Sequence, residues 1–143
     1  MAGFELTEEI ARPPGEIFAY LTDVSNLPKW QSSAAEAELQ GPMREGARIR
    51  ERRTFMGRDV NTELEVTAYE PPSRFDVSSR GGPVSYRIHH TLEPSGAGTR
   101  LHAAVEVQVG GMMRLAVQGL LKLAEREFRA DFARLKRFLE QLR

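Results

Sequence analysis

The stretch from Arg48 to Ala68 reads RIRERRTFMGRDVNTELEVTA. Ile49, Glu51, Arg53 and Phe55 alternate with Arg48, Arg50, Arg52 and Thr54. Beyond Gly57-Arg58, Val60, Thr62, Leu64, Val66 and Ala68 alternate with Asn61, Glu63, Glu65 and Thr67. A period of two on both sides of a glycine marks a β-hairpin with one buried face. A two-residue loop with glycine first fits a type II′ turn. It predicts pairing of position 56 with 59, 52 with 63 and 50 with 65. Arg52 then faces Glu63 and Arg50 faces Glu65, and opposite charges across a strand pair contribute about 0.2–1 kcal/mol each. The other face pairs Phe55 with Val60, Arg53 with Thr62, Glu51 with Leu64 and Ile49 with Val66. That face is apolar except for Glu51, Arg53 and Thr62.

The same alternation continues downstream. Phe75, Val77 and Ser79 follow a turn at Pro71-Pro72-Ser73. Val84, Tyr86, Ile88, His90 and Leu92 follow Gly81-Gly82-Pro83, and Leu101, Ala103, Val105, Val107 and Val109 follow a loop over residues 94–98. Consecutive half-buried strands joined by short turns predict an antiparallel meander. Gly110-Gly111 ends it. From about Met112 to Leu142 the pattern changes to one long helix, roughly 45 Å at 1.5 Å per residue. Its first half, Met112 to Ala124, is apolar almost all round, which predicts apolar surroundings. Its second half carries Phe128, Phe132, Leu135, Leu139 and Leu142 on one face. Gly119 costs about 1 kcal/mol in a helix interior and marks a point of bending or close approach.

Upstream of the hairpin, Phe4 to Ile10 reads as a first strand. Arg12-Pro13-Pro14-Gly15 breaks it. Glu16 to Leu21 forms a short helix with Ile17, Phe18, Tyr20 and Leu21 on its apolar face. Asp23 caps a second short helix ending at Trp30, and Ala34 to Leu39 is a further strand. Weight in this chain lies in strands first and a helix last, an α+β arrangement.

Bulk properties narrow the function. The 143 residues predict one domain, residues 1–143. Twenty basic and twenty acidic residues cancel, which argues against non-specific nucleic-acid binding. With no cysteine, thiolate zinc sites, iron–sulfur clusters and cysteine nucleophiles are excluded. The first residues show no secretory signal and no run of 18 apolar residues exists, so no membrane span is expected and the expected setting is cytoplasmic. Neither double glycine is followed by a phosphate-loop lysine, and no Gly-x-Ser-x-Gly elbow occurs. The expectation is no cofactor.

The chain resembles the SRPBCC superfamily. This is the helix-grip fold shared by START lipid-transfer domains, birch-pollen-allergen-like proteins and polyketide cyclase/dehydrase-like proteins. The resemblance covers essentially the whole chain. It is carried by Ala11-Arg12-Pro13-Pro14-Gly15-Glu16-Ile17-Phe18, by Asp23 with Leu27-Pro28-Lys29-Trp30, and by Gly46 before the third strand. Tyr69-Glu70-Pro71-Pro72, Gly98-Thr99-Arg100-Leu101 and Leu135-Lys136-Arg137-Phe138-Leu139-Glu140 complete it. It implies a curved sheet of about seven strands gripping the long helix, with a cavity between them that takes apolar or amphipathic small molecules. It also implies a tryptophan, here Trp30, near the pocket entrance. Fold alone does not choose a function.

Expected wall residues are Phe55 and Leu64 on the hairpin, Phe75, Val77, Ile88 and Val105 on later strands, and Met113, Val117 and Leu120 on the helix. Glu51, Arg53, Thr62, Ser79, Tyr86 and His90 project from the same inward face. Glu51 and Arg53 either pair with each other or sit at the wet rim, giving shape only, or they present a polar end to a ligand, where a guanidinium suits a carboxylate or phenolate. His90, with Tyr86 four residues earlier, is the candidate for acid–base chemistry, because imidazole titrates near neutrality. His89 and His102 point outward, so the three histidines do not converge on a metal. Arg48, Arg50 and Arg52 look like a nucleic-acid stripe until Glu63 and Glu65 are paired with two of them. The expected function is binding or transport of a small hydrophobic or amphipathic ligand: a lipid, a polyketide or an aromatic compound. The alternatives are a polyketide cyclase/aromatase-like enzyme using His90, Tyr86 or Arg53, and a non-enzymatic partner-binding subunit. Oligomeric state is left open.

Overall fold

The computed structural model describes residues 2–55, 57–81, 85–108 and 114–142, with the side chains of residues 2, 55 and 114–118 excepted. Strand β1 (Ala2–Ile10) leads to α1 (Pro14–Thr22), a 3₁₀ turn (Val24–Asn26) and α2 (Leu27–Trp30). Then come β2 (Ala34–Gln40), β3 (Arg48–Phe55), β4 (Arg58–Glu70), β5 (Arg74–Ser79), β6 (Ser85–Ser95), β7 (Gly98–Gln108) and α3 (Arg114–Gln141). All seven strands form one antiparallel sheet in the order β1-β7-β6-β5-β4-β3-β2. The expected α+β architecture is therefore present, with the first and last strands adjacent.

Local chemistry explains the elements. Pro14 opens α1, where its missing N–H costs nothing, and Ile17, Phe18 and Leu21 bury its inner face. Asp23 Oδ1 accepts the Ser25 backbone N–H at 3.1 Å and caps the 3₁₀ turn. Gly46 adopts φ 91°, a left-handed conformation that favours glycine. There its N–H donates to Val66 O at 2.7 Å and joins the turn to β4. Irregularities between Ala34 and Glu36 and between Val66 and Ala68 interrupt the ladders, and such bulges bend a sheet.

The β3–β4 hairpin corrects the expected register. Arg52 faces Asn61, Arg50 faces Glu63 and Arg48 faces Glu65. Phe55 faces Arg58, so Arg58 belongs to the strand rather than to the turn, and Gly57 takes φ 77° directly before it. The slip is an even number of residues, so each side chain keeps its face. Ile49 now pairs with Leu64, Glu51 with Thr62 and Arg53 with Val60. Outward charges still pair: Arg48 reaches Glu63 at 2.8 Å, and Arg52 reaches Glu36 at 2.9 Å and Asp59 at 3.3 Å. The loop expected over residues 94–98 is also shorter. Strands run to Ser95 and from Gly98, leaving a two-residue turn in which Gly96 takes φ 58°.

Helix α3 buries Phe132, Leu135 and Leu139 in the common core. It also stitches itself to β1. Arg129 Nη2 donates to Glu5 O at 3.0 Å and Lys136 Nζ donates to Glu9 O at 2.5 Å. Gly119 is neither a break nor a close approach: the helix runs through it, and a Cβ there would meet nothing within 4 Å. The first half of α3 is not enclosed on all sides. Leu120, Leu121 and Ala124 turn inward, while Leu123 is 60% exposed, because the sheet covers only one side of the helix. The expected positions of Met112, Met113, Gly110 and Gly111 lie outside the described residues. No helix among the described residues is long and apolar enough to cross a membrane.

Candidate functional site

A cavity of about 310 Å³ lies between the inner face of the sheet and α3. That is near the lower end of the ~300–1,000 Å³ range of small-molecule pockets. Of the expected wall, Leu64, Phe75, Val77, Ile88, Val105 and Leu120 line it. So do the expected polar residues Glu51, Arg53, Tyr86 and His90. Thr62 and Ser79 share the face but do not reach the cavity; Ser79 Oγ accepts the Tyr86 N–H at 3.0 Å. The side chains of Phe55, Met113 and Val117 fall outside the described residues. Trp30 is 1% exposed and packs edge-on to Phe132 at 5.1 Å, so it serves core and wall together.

Phe132 organises the aromatic wall. It contacts Trp30, stacks on Phe128 at 6.3 Å and lies 5.9 Å from the His90 ring. His90 stacks in turn on Phe75 at 5.8 Å. Ring pairs at these separations add about 0.5–1.5 kcal/mol each beyond area burial.

His90 is buried, and its Nδ1 sits 2.8 Å from the Phe75 carbonyl. A carbonyl only accepts, so Nδ1 carries the proton and Nε2 keeps its lone pair. Burial drives the imidazole pKa down to about 4, and the Phe75 carbonyl only partly opposes this. His90 is thus neutral at physiological pH. Tyr86 is shifted the other way: burial raises its phenol above the usual value, against the pull of Arg53 and with a push from Glu51.

Glu51 and Arg53 realise the pairing expectation while also lining the cavity. Arg53 Nε donates to Glu51 Oε2. Its Nη1 donates to Ser33 Oγ at 2.9 Å and its Nη2 to Gln31 Oε1 at 2.5 Å. Glu51 Oε1 is buried with no hydrogen-bond partner, as is Oγ1 of Thr62 directly across the ladder.

Sequence reading missed a second polar flank. Asp131 and Glu127 of α3 also line the cavity. The Ser32 N–H donates to Asp131 Oδ1 at 3.1 Å, and Ser32 Oγ donates to Glu127 Oε1 at 3.0 Å. Arg134 lies 3.4 Å from Asp131. Burial raises the Asp131 pKa; Ser32 and Arg134 oppose the shift and Glu127 adds to it. The available signal was an acid on the stripe formed by Phe128, Phe132 and Leu135, where apolar residues belong. The segment Gln31–Ser33 is therefore held from the sheet by Arg53 and from the helix by Asp131 and Glu127.

His89 and His102 stand on the outer face. His89 Nδ1 lies 2.9 Å from Asp76 Oδ2, and His102 Nδ1 lies 3.0 Å from Thr7 Oγ1. Among the described residues no group of three or more histidines and carboxylates is placed to hold a metal.

Residues 1–140 match the model of a family described as polyketide cyclase/dehydrase and lipid transport. Solved structures share the fold at low identity. A START superfamily protein from Mycobacterium smegmatis superposes with TM-score 0.79 at 18% identity, covering 99% of both chains. The di-domain aromatase/cyclase StfQ of the steffimycin biosynthetic pathway gives 0.81 at 14% identity, over 97% of this chain and 51% of StfQ. Ara h 8.0201 gives 0.69 at 17% identity, over 94% and 97%. No curated protein sequence matches the chain.

Proposed function

Because the chain belongs to the polyketide cyclase/dehydrase and lipid transport family, we propose that it binds or carries a small hydrophobic or amphipathic molecule between sheet and α3. The observation that carries this reading is the largely apolar cavity, with a few polar side chains among its lining, Glu51, Arg53, Tyr86, His90, Glu127 and Asp131. Apolar walls supply affinity and a few fixed polar groups supply orientation. Leu64, Phe75, Val77, Ile88, Val105 and Leu120 are the proposed walls. Glu51, Arg53, Tyr86 and His90 are the proposed orienting groups.

A cyclase-like reading uses the same cavity and draws on the likeness to StfQ. It needs a group that moves protons near neutral pH. An imidazole held at about pH 4 is a weak base at that pH, which favours binding over turnover.

The test begins with native mass spectrometry and organic extraction of the purified protein, followed by thermal shifts with naphthalene-type and lipid probes. A ligand that binds only the folded state raises the melting temperature. The expected result is a shift that Val105→Phe, which fills the cavity, abolishes. Probes that shift both proteins equally, or neither, overturn the reading.

A further inference from the structure

The charges around the cavity are unbalanced. Among the described residues, Glu51, Glu127 and Asp131 line it, against the single guanidinium of Arg53. Arg134 neutralises part of Asp131 from outside the lining. Arg53 is not available as an anion receptor in the way its sequence position suggests. Three of its five N–H groups are committed to Glu51, Ser33 and Gln31, and its charge is cancelled by a carboxylate in direct contact. A carboxylate ligand entering beside it faces Glu51 as well, and like charges in a poorly solvated site repel strongly.

Hydrogen-bonding capacity is open in both senses: Trp30 Nε1, an N–H on the described lining, is buried without an acceptor. Glu51 Oε1 is buried without a donor. His90 Nε2, the distal ring nitrogen, holds a lone pair because Nδ1–H is spent on Phe75 O, and no described residue donates to it. A ligand hydroxyl both donates and accepts, so it can meet an open lone pair and an open N–H alike and gains specificity where an apolar ligand leaves them unpaired.

On the premise of the cavity reading above, we infer that the site selects an uncharged apolar molecule bearing a hydroxyl, an alcohol or phenol, and rejects the matching carboxylate. His90 is the residue that receives the ligand's O–H.

The test uses three probes of one shape: 2-naphthol, 2-naphthoate and 2-methylnaphthalene, titrated calorimetrically at neutral pH. Naphthol is expected to bind at least about tenfold more tightly than either other probe, a difference of about 1.4 kcal/mol. In His90→Phe its advantage over methylnaphthalene disappears. Because that variant risks misfolding, a second readout uses the native protein. The ¹⁵N resonance of His90 Nε2 should mark the Nδ1–H tautomer and move with naphthol but not with methylnaphthalene. Naphthoate binding as tightly as naphthol overturns the charge selection and leaves the cavity reading standing. Naphthol and methylnaphthalene binding alike, with Nε2 unmoved, overturns the donor selection. Failure of all three probes to bind overturns the cavity reading and this inference with it.

Discussion

Arg53 donates its Nε–H to the carboxylate of Glu51, two residues earlier on the same face of β3, and that carboxylate has no exposed side-chain surface. Removing one partner of a buried pair leaves an uncompensated charge, at a cost of about 3–5 kcal/mol. Arg53→Met should therefore lower stability by that amount in urea denaturation. Glu51→Leu combined with Arg53→Leu should cost clearly less than the sum of the single changes. Strict additivity would show that the pair is not coupled.

His90 makes stability depend on pH in a defined window. Its folded pKa, about 4, lies below the unfolded value near 6.5. The unfolded chain binds more protons between those values, so the contribution is complete above about pH 6.5 and is lost as pH falls through about 4. Two and a half pKa units correspond to about 3 kcal/mol. His90→Phe should flatten the melting-temperature profile over this range relative to the native protein. Parallel profiles would mean the imidazole is not held neutral.

Asp131 has the opposite sign. Its folded pKa is raised, chiefly by burial. Its stabilising contribution is therefore complete below the unfolded pKa and is lost as pH rises through the folded one. Charge at this position is a cost at neutral pH. Asp131→Asn keeps an oxygen for the Ser32 N–H and should leave stability unchanged or slightly raised at pH 7. Asp131→Leu strands that N–H and should cost about 1–3 kcal/mol. Chemical denaturation of the two variants side by side checks the order.

Gly98 opens β7 where the backbone of β1 passes close by. A Cβ there would lie 2.3 Å from Ile10 O, a main-chain atom that cannot swing aside. Gly98→Ala should cost at least the ~1–3 kcal/mol of a typical overpacked site. Gly119→Ala, with open space around it, should instead be neutral or stabilising by about 1 kcal/mol. Thermal melts of both variants separate packing from propensity.

Alternation of side chains made the sheet legible from sequence, because a period of two survives an even error in register. That is why Glu51, Arg53, Tyr86 and His90 were placed on the correct face although the hairpin turn was misplaced. The turn itself depended on which central position holds the left-handed residue, and Gly57 is compatible with either. Asp131 was not legible. Its role depends on Ser32 arriving from ninety-nine residues away, and helical periodicity says nothing about which acid a distant backbone N–H will meet. The fate of Arg53 was only half legible for the same reason. Its partner Glu51 is local, but Gln31 and Ser33 come from the segment before β2.

The stitching of α3 onto β1 bears on self-association. An antiparallel sheet with two ends offers two templates for strand addition by another molecule. At β1, Arg129 and Lys136 already occupy the carbonyls of Glu5 and Glu9, so an incoming strand would have to displace the protein's own helix. At β2, the strand Ala-Ala-Glu-Ala-Glu-Leu-Gln carries Glu36 and Glu38 and no base. A second copy approaching antiparallel would set acid against acid. A chain of zero net charge lacks the long-range repulsion that keeps many proteins apart in concentrated solution. Here the protection against aggregation is local, built into the two edges of the sheet.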